Sequence, residues 1–530
     1  MRYFGPTSGR LQFQSSATAD TAIHLSGQAR SEYDSGGLHS FDGITAGLGI
    51  SKTLQELLIS LYFRWEQPWF AVVDEELFRQ SLHHGGRYWS PLLHLCILAV
   101  GSRYSESTQV RSKLDDSNTA GMIFLEQAKY YLQAEVEKPS LTTIQALAII
   151  GMFYIAIGAD ATGWLYHGMA NRLVLDMGLN LDPAGFEETR LLSHREIQLR
   201  RQIYWTLYCH DKWSSSYTGR ICSMLDSQGA VKVPEDDVDA AFDVEGTLRK
   251  TLPKLQRAMI SLCRIQERMI LSLWAPKPLL KDSQRSPFLK STMLELKSWF
   301  YDLPAELRID RPNDLPHAYT LHMMYHTARI LLAKPFIMSS SKKSPNPSSR
   351  EGSCETTRLA LSISRESARE ICTVAQKYRD VFGGFQLSPI SATHCTLSAC
   401  LVILDDETEN LATASHKRKL SLCLTVLDEL ARSWHPAQHI GRNLRKLCLS
   451  ATLDELLFAP EASTGSEHGE GLEVPHELGG DLIDVVNMDP PSMLATHWDL
   501  SAPVETLPLD YGFFDILNQD ALDRTWEHYV

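Results

Sequence analysis

The sequence predicts an all-α fold: one large multi-helix domain with a disordered amino-terminal lead-in and an acidic carboxy-terminal tail. Three observations carry this. From Leu54 to Leu457, segment after segment repeats apolar residues at helical spacing. Alternating strand patterns are nearly absent over the same span. Hydrophobic residues make up 44% of the 530 and charged residues 22%, enough to bury a sizeable core and to exclude wholesale disorder.

Residues 1–51 are rich in Gly, Ser and Thr and read as a flexible lead-in. The domain is expected over 52–457. Its first helix, in SKTLQELLISLYFRWEQ, places Leu54, Leu57, Leu58 and Leu61 on one face. Ser90 caps a second helix with Pro91 at its first position, and the apolar run continues through Val100. Further helices are predicted over 119–137, 142–157, 162–177, 194–216, 247–274, 288–302, 316–337, 356–381, 391–404, 410–434 and 441–457. The most apolar stretch is Ala146–Ala159. Its 14 residues fall short of the roughly 20 that span a bilayer, so it reads as a helix buried on all sides, and no membrane partner is expected. Residues 339–353, SSSKKSPNPSSREGS, carry no large apolar side chain and predict a disordered loop.

The net charge of −13 is unevenly placed. From Glu461 to Val530 there are seven Glu and eight Asp against one base, Arg524. The first 460 residues hold 50 bases and 49 acids. The body is nearly neutral and the tail carries the acidity. Ten scattered cysteines include no Cys-x-x-Cys, and no secretory signal or glycosylation sequon is visible, which fits a reducing compartment.

In Gly163–Asp182, GWLYHGMANRLVLDMGLNLD, a helix aligns Leu165, Met169, Leu173 and Met177 in one stripe, with Gly178 as its left-handed stop. Gly168 should admit a neighbouring helix, and Arg172 and Asp176 lie one turn apart. This segment resembles the signature helix of the fungal-specific transcription factor domain, the middle homology region of the binuclear zinc-cluster regulators. Arg2–Leu11, Tyr62–Phe78 and Glu196–Arg220 (EIQLRRQIYWTLYCHDKWSSSYTGR) are similar to further blocks of that domain. So are Val233-Pro234 with Glu235 and Asp236, Trp299 with Leu303 and Pro304, and Tyr325–Phe336, so that the likeness covers about 2–450. Trp164, Gly168, Arg172, Asp176, Gly178, Arg201, Trp205, Asp211 and Gly219 match the family pattern, and their expected role is to maintain the fold.

The resemblance implies a nuclear transcription regulator without enzymatic activity or a cofactor of its own. The family's DNA reader is a six-cysteine cluster holding two zinc ions, and no match to it stands in these 530 residues. DNA contact is therefore expected through a zinc-cluster module missing from this chain, or through a partner. The alternative is a binding-only sensor or homo- or heterodimerisation partner of DNA-reading relatives, with a small-molecule effector.

Other patterns are weaker. Arg200 and Arg201 with Trp205, Tyr208 and Trp213 read as a packed helix in which an arginine meets a carboxylate, because a neutral body lacks the basic face that DNA requires. His416–Lys419 reads as a solvated helix face. Asp405–Glu409 resembles the D-D-x-x-E motif of class I terpene cyclases, but no second magnesium-ligand set follows. Gly43–Thr53 lacks the strand and final glycine of a phosphate loop, and His435 and His439 have no catalytic carboxylate.

The tail at 461–530 interleaves acids with Leu509, Tyr511, Phe513, Phe514, Ile516, Leu517 and Trp526. This composition marks a disordered activation segment, expected to dock LDYGFFDIL as a short helix on a coactivator of the transcription machinery; the alternative is that these residues fold back onto the body and finish its core.

Overall fold

The computed structural model describes residues 47–182, 192–235, 244–275, 277–338, 348–405 and 414–450. Among them every regular element is helical, and β contacts are limited to the isolated bridges Arg111–Ala120 and Leu181–Ala230. The first half holds α1 (Lys52–Leu61), α2 (Glu75–His84), α3 (Pro91–Gly101), α4 (Met122–Glu137), α5 (Leu141–Ala156), α6 (Asp160–Asp176) and α7 (His194–Thr218). The second holds α8 (Val244–Met269), α9 (Asp282–Tyr301), α10 (Pro316–Met338), α11 (Ser348–Phe382), α12 (Ser391–Leu404), α13 (Ala414–Leu430) and α14 (His435–Ser450).

Side chains meet the orphan N–H groups at helix starts. Ser51 accepts from Leu54 N–H, Asp74 from Leu77 N–H, Ser90 from Leu93 N–H and Ser193 from Glu196 N–H. Ser140 opens α5 with a capping box completed by Thr143.

α3 and α5 form the middle of the first half and are buried nearly all round, with α4 and α6 packed against them. α10 has the same place in the second half, with α11 and α12 along it and α13 beyond. α7 contacts α6 and α8, and α14 returns to pack on α5 and α12, joining the halves. No described helix is long and apolar enough to cross a membrane.

Several expectations change. In α1 the buried residues are Gln55, Leu58 and Ile59, continuing to Tyr62, Phe63 and Glu66. The buried face is therefore rotated from the Leu54/Leu57/Leu58/Leu61 stripe, and Leu57 is exposed. A π-helical turn at Tyr62–Glu66 carries this face onward, and the Glu66 carboxylate accepts from Tyr104 OH at 2.5 Å. The sequence reading missed α2, whose polar sequence EELFRQSLHH buries only Phe78 and Ser81. α9 starts at Asp282, six residues early, with Pro287 inside it. α11 starts at Ser348, inside the segment expected to be a loop over 339–353; residues 339–347 lie outside the described residues. α14 starts at His435, because Pro436 sits in a first turn that needs no N–H from it. The lead-in up to residue 46, the family segment Arg2–Leu11, the end of the predicted last helix and the whole tail also lie outside the described residues.

Eight of the ten cysteines are buried, Cys222 is half-buried and Cys354 is exposed. Burial pushes the Cys395 thiol up to about 12 and the Cys222 thiol up to about 11.

Candidate functional site

α6 ends in a complete Schellman motif. Gly178, at φ 67°, donates its N–H to Leu175 O at 3.0 Å, and Leu179 N–H reaches Val174 O at 2.9 Å. The buried face of α6 is Gly163, His167, Ala170, Asn171 and Val174. This differs from the expected apolar stripe: Leu165 and Met169 are exposed, as are Trp164 and Leu175. Gly168 is not the point of close approach either, since a Cβ there would meet only Arg172. That role falls to Gly163, whose Cβ would lie 2.7 Å from Ile155 Cγ1 and 2.8 Å from Gly151 O. Gly151 in turn faces the His167 ring.

His167 stacks on His210 of α7 at 3.9 Å between ring centroids, with Phe70 edge-on to both. Burial lowers His210 to about 4 and His167 well below its usual value, so both rings are neutral. The outward face of α6 presents Trp164, with the Arg220 guanidinium over its ring at 5.2 Å, then Leu165, Met169, Arg172 and Leu175. Arg172 donates to the Gly168 carbonyl at 3.2 Å, and Asp176 is exposed at the end of the helix.

α7 anchors the chain that follows it. Asp211 accepts N–H bonds from Ser223 and Met224 at about 3 Å and the Ser223 hydroxyl at 2.5 Å. Lys212, fully buried, meets Asp211 at 2.9 Å, Glu267 at 3.4 Å and the Met224 carbonyl. Burial opposes the lysine's charge, but Asp211 and Glu267 hold its value above the usual one. Nearer the start of α7, the buried Arg201 forks onto both Asp182 oxygens at 3.0 Å and reaches Glu235 at 2.9 Å. Trp205 donates to Lys232 O at 3.0 Å and lies under the Arg264 guanidinium. Gly219, at φ 69°, ends α7. These bonds, with the Leu181–Ala230 bridge, clip residues 178–182 and 223–235 along α7 from Arg201 to Lys212. Between α6 and the turn at 223–228 lies an open groove of about 200 Å³.

The family-motif residues Trp164 to Gly178 therefore share one helix and its cap, while Arg201, Trp205, Asp211 and Gly219 run along the neighbouring helix. Sequence reading missed Asn171, His167, Ser223, Asp182 and Glu196. Glu196 is buried and receives Arg87, Tyr88 and Arg200. Only the arginines of α7 hinted at such carboxylate partners. Trp213 stacks on Trp69 at 4.9 Å. In the His416–Lys419 run, Arg418 is exposed but His416 is buried. Of Asp405–Glu409 only Asp405 is described, as the cap of α12. Ser51 and Lys52 simply begin α1. His435 and His439 meet edge to face on α14. Among the described residues, no group of three or more His, Cys, Asp or Glu is placed to hold a metal ion. The candidate activation residues Leu509 to Trp526 lie outside the described residues.

Residues 59–308 match the family model of the fungal specific transcription factor domain. This stretch carries the fungal specific transcription factor domain. Among its relatives is the nitrogen assimilation transcription factor nirA of Emericella nidulans, 29% identical over 425 residues, which are 76% of this chain and 45% of the relative. The nitrogen assimilation transcription factor nit-4 of Neurospora crassa is 28% identical over 74% of this chain and 36% of its own length. An uncharacterized transcriptional regulatory protein of Schizosaccharomyces pombe is 27% identical over 75% of this chain and 65% of its own. The chain thus spans less than half the length of nirA and nit-4 and just under two thirds of the third relative. The terpene-cyclase alternative finds no support among these relatives. No solved structure matches the chain.

Proposed function

We propose that this chain is a fungal transcription regulator acting in the nucleus without enzymatic activity. In this reading the helical body is the regulatory part and the tail at 461–530 recruits transcription machinery. The observation that carries it is the similarity of three quarters of the chain to proteins named as transcription factors. DNA contact comes from a zinc-cluster module outside these residues or from a partner that brings one. The acidity of the tail beside a neutral body supports the division of labour.

The test is a reporter assay with residues 461–530 tethered to a foreign DNA-binding domain. The fragment should activate transcription, and Phe513→Ala with Phe514→Ala should abolish most of that activity. An unmutated fragment that is inert sinks the recruitment role.

A further inference from the structure

We propose that Cys372 and Cys423 are a site of oxidative modification: a small hydroperoxide entering the cleft between α11, α12 and α13 joins the two sulfurs in a disulfide. This goes beyond the regulatory reading above and does not depend on it.

Three thiols from three helices converge in the second half of the body. Cys372 of α11 and Cys423 of α13 are both buried, and their Sγ atoms lie 3.9 Å apart. A disulfide holds its sulfurs at roughly 2.05 Å, so each sulfur has to move by about 1 Å. Cys400 of α12 is in hydrogen-bond contact with Cys423 on another side. Other buried thiols point elsewhere: Cys395 at Met324 Sδ, 3.4 Å away, and Cys263 at the Cys209 carbonyl, 3.9 Å away.

The oxidant has a way in. A cleft lined by Ala368 and Arg369 of α11, Ile403 of α12, and His416 and Lys419 of α13 lies one helical turn from the thiols. Ala368 precedes Cys372 by four residues, Lys419 precedes Cys423 by four, and Ile403 follows Cys400 by three. Residues at these spacings share a helix face, so all three cysteines continue the walls of the cleft one turn deeper. Its volume of about 10 Å³ is roughly that of one water molecule, which suits a small hydroperoxide and not a bulky thiol reagent.

The chemistry balances with the hydroperoxide as oxidant. One thiol, as its thiolate, attacks the peroxide O–O bond and becomes a sulfenic acid; the other oxygen leaves as water or an alcohol. The second thiol then displaces the sulfenic oxygen as water, and the S–S bond forms. The thiol pair gives up two electrons and the peroxide takes them. Hydrogen bonding to Cys423 and burial hold the Cys372 thiol well above its ordinary value, with the Lys419 ammonium opposing the rise. Little thiolate is present at neutral pH, so the pair ignores brief exposure and answers sustained oxidant. The new bond ties α11 to α13 across 51 residues of sequence, and thiol exchange reverses it in a reducing compartment.

The test uses the full chain carrying Cys354→Ser, which removes the exposed thiol. It is treated for several hours with about 1 mM hydrogen peroxide, quenched with catalase and titrated for thiols in denaturant. Two thiols should be lost, and dithiothreitol should restore both. Tryptic digestion without reductant should yield Glu370–Lys377 linked to Leu420–Arg432. Cys423→Ala in the same background should abolish the loss. No loss of thiols, a link between any other two cysteines, or an undiminished loss in Cys423→Ala overturns the proposal. The peptide map of the parent chain needs no core substitution, so it decides even if Cys423→Ala folds poorly. The tethered-tail reporter contains no cysteine, so a negative result here leaves the transcriptional reading standing.

Discussion

Arg103 donates Nε–H and Nη2–H to the backbone carbonyl of Ser433, at 3.0 and 2.6 Å, across 330 residues of sequence. Its Nη1 reaches the carbonyls of Asn118 and Ala120. The side chain is buried, and burial pulls the guanidinium down to about 10, still charged at neutral pH. This arginine closes α3 and the turn before α14 onto each other. Arg103→Met should leave the carbonyls of buried Ser433 and Ala120 and of half-buried Asn118 without this donor and lower stability by about 3 kcal/mol or more. Urea unfolding of the full chain followed by circular dichroism measures this.

The α5–α6 contact makes opposite predictions for two glycines of one helix. Gly163→Ala inserts a methyl group where Ile155 and the Gly151 backbone already sit, which should cost about 1–3 kcal/mol. Gly168→Ala meets only the Arg172 guanidinium, at an ordinary contact distance of 3.5 Å, in a helix interior and should stabilise by up to about 1 kcal/mol. Comparing the thermal midpoints of the two variants decides between this assignment and the one the sequence suggested.

Stability should fall in acid. Burial holds His94, His210, His317, His322 and His394 at about 4, His326 at about 3, and His167 well below its ordinary value. The unfolded chain, with histidines near 6.5, binds more protons between about pH 4 and 6.5, so stability is present above that window and lost as pH drops through it. Buried Glu66 at about 7 and Asp160 at about 6 act in the opposite sense, because the folded chain holds their protons longer. Seven imidazoles outweigh two carboxyls, and the urea midpoint should be clearly lower at pH 5.5 than at pH 7.5. His394, whose ring nitrogens have no hydrogen-bond partner, offers a check: His394→Phe should change little at pH 7.5 and flatten the acid slope.

At Arg201, substitution by lysine keeps the charge but not the fork. Arg201→Lys should lose one of the two Asp182 bonds and the Glu235 contact together, costing about 1–3 kcal/mol, with most of the loss at Asp182 because Glu235 is half exposed. Hydrogen exchange at Ala230 and Lys232 should rise in parallel, since those amides bond to Asn180 and Asp182.

Much of this fold was legible from periodicity because α3, α5 and α10 are buried nearly all round, where any apolar run suffices. The orientation of α1 and α6 was not legible. Both turn polar groups inward, Gln55 and Glu66 on one and His167 and Asn171 on the other, and leave leucines outside. A buried polar residue depends on partners distant in sequence: Glu66 meets Tyr104, and Asn171 meets Ser223. A stripe drawn through leucines cannot anticipate them. Likewise the sequence predicts a carboxylate partner for Arg200 or Arg201, but Asp182 and Glu235 can be named for Arg201 only once the turns after α6 and α7 are placed together. α2 escaped notice because it buries too few apolar side chains to show a period.

The distribution of thiols has a practical use. Cys354 alone is exposed, near the start of the long helix α11, while eight others are sealed in the interior and Cys222 is half covered. A maleimide dye applied to the native full-length chain under mild conditions should therefore attach at one place, with Cys222→Ser as a precaution. A second fluorophore fused behind Val530 would then report the distance between the helical body and the end of the chain, molecule by molecule.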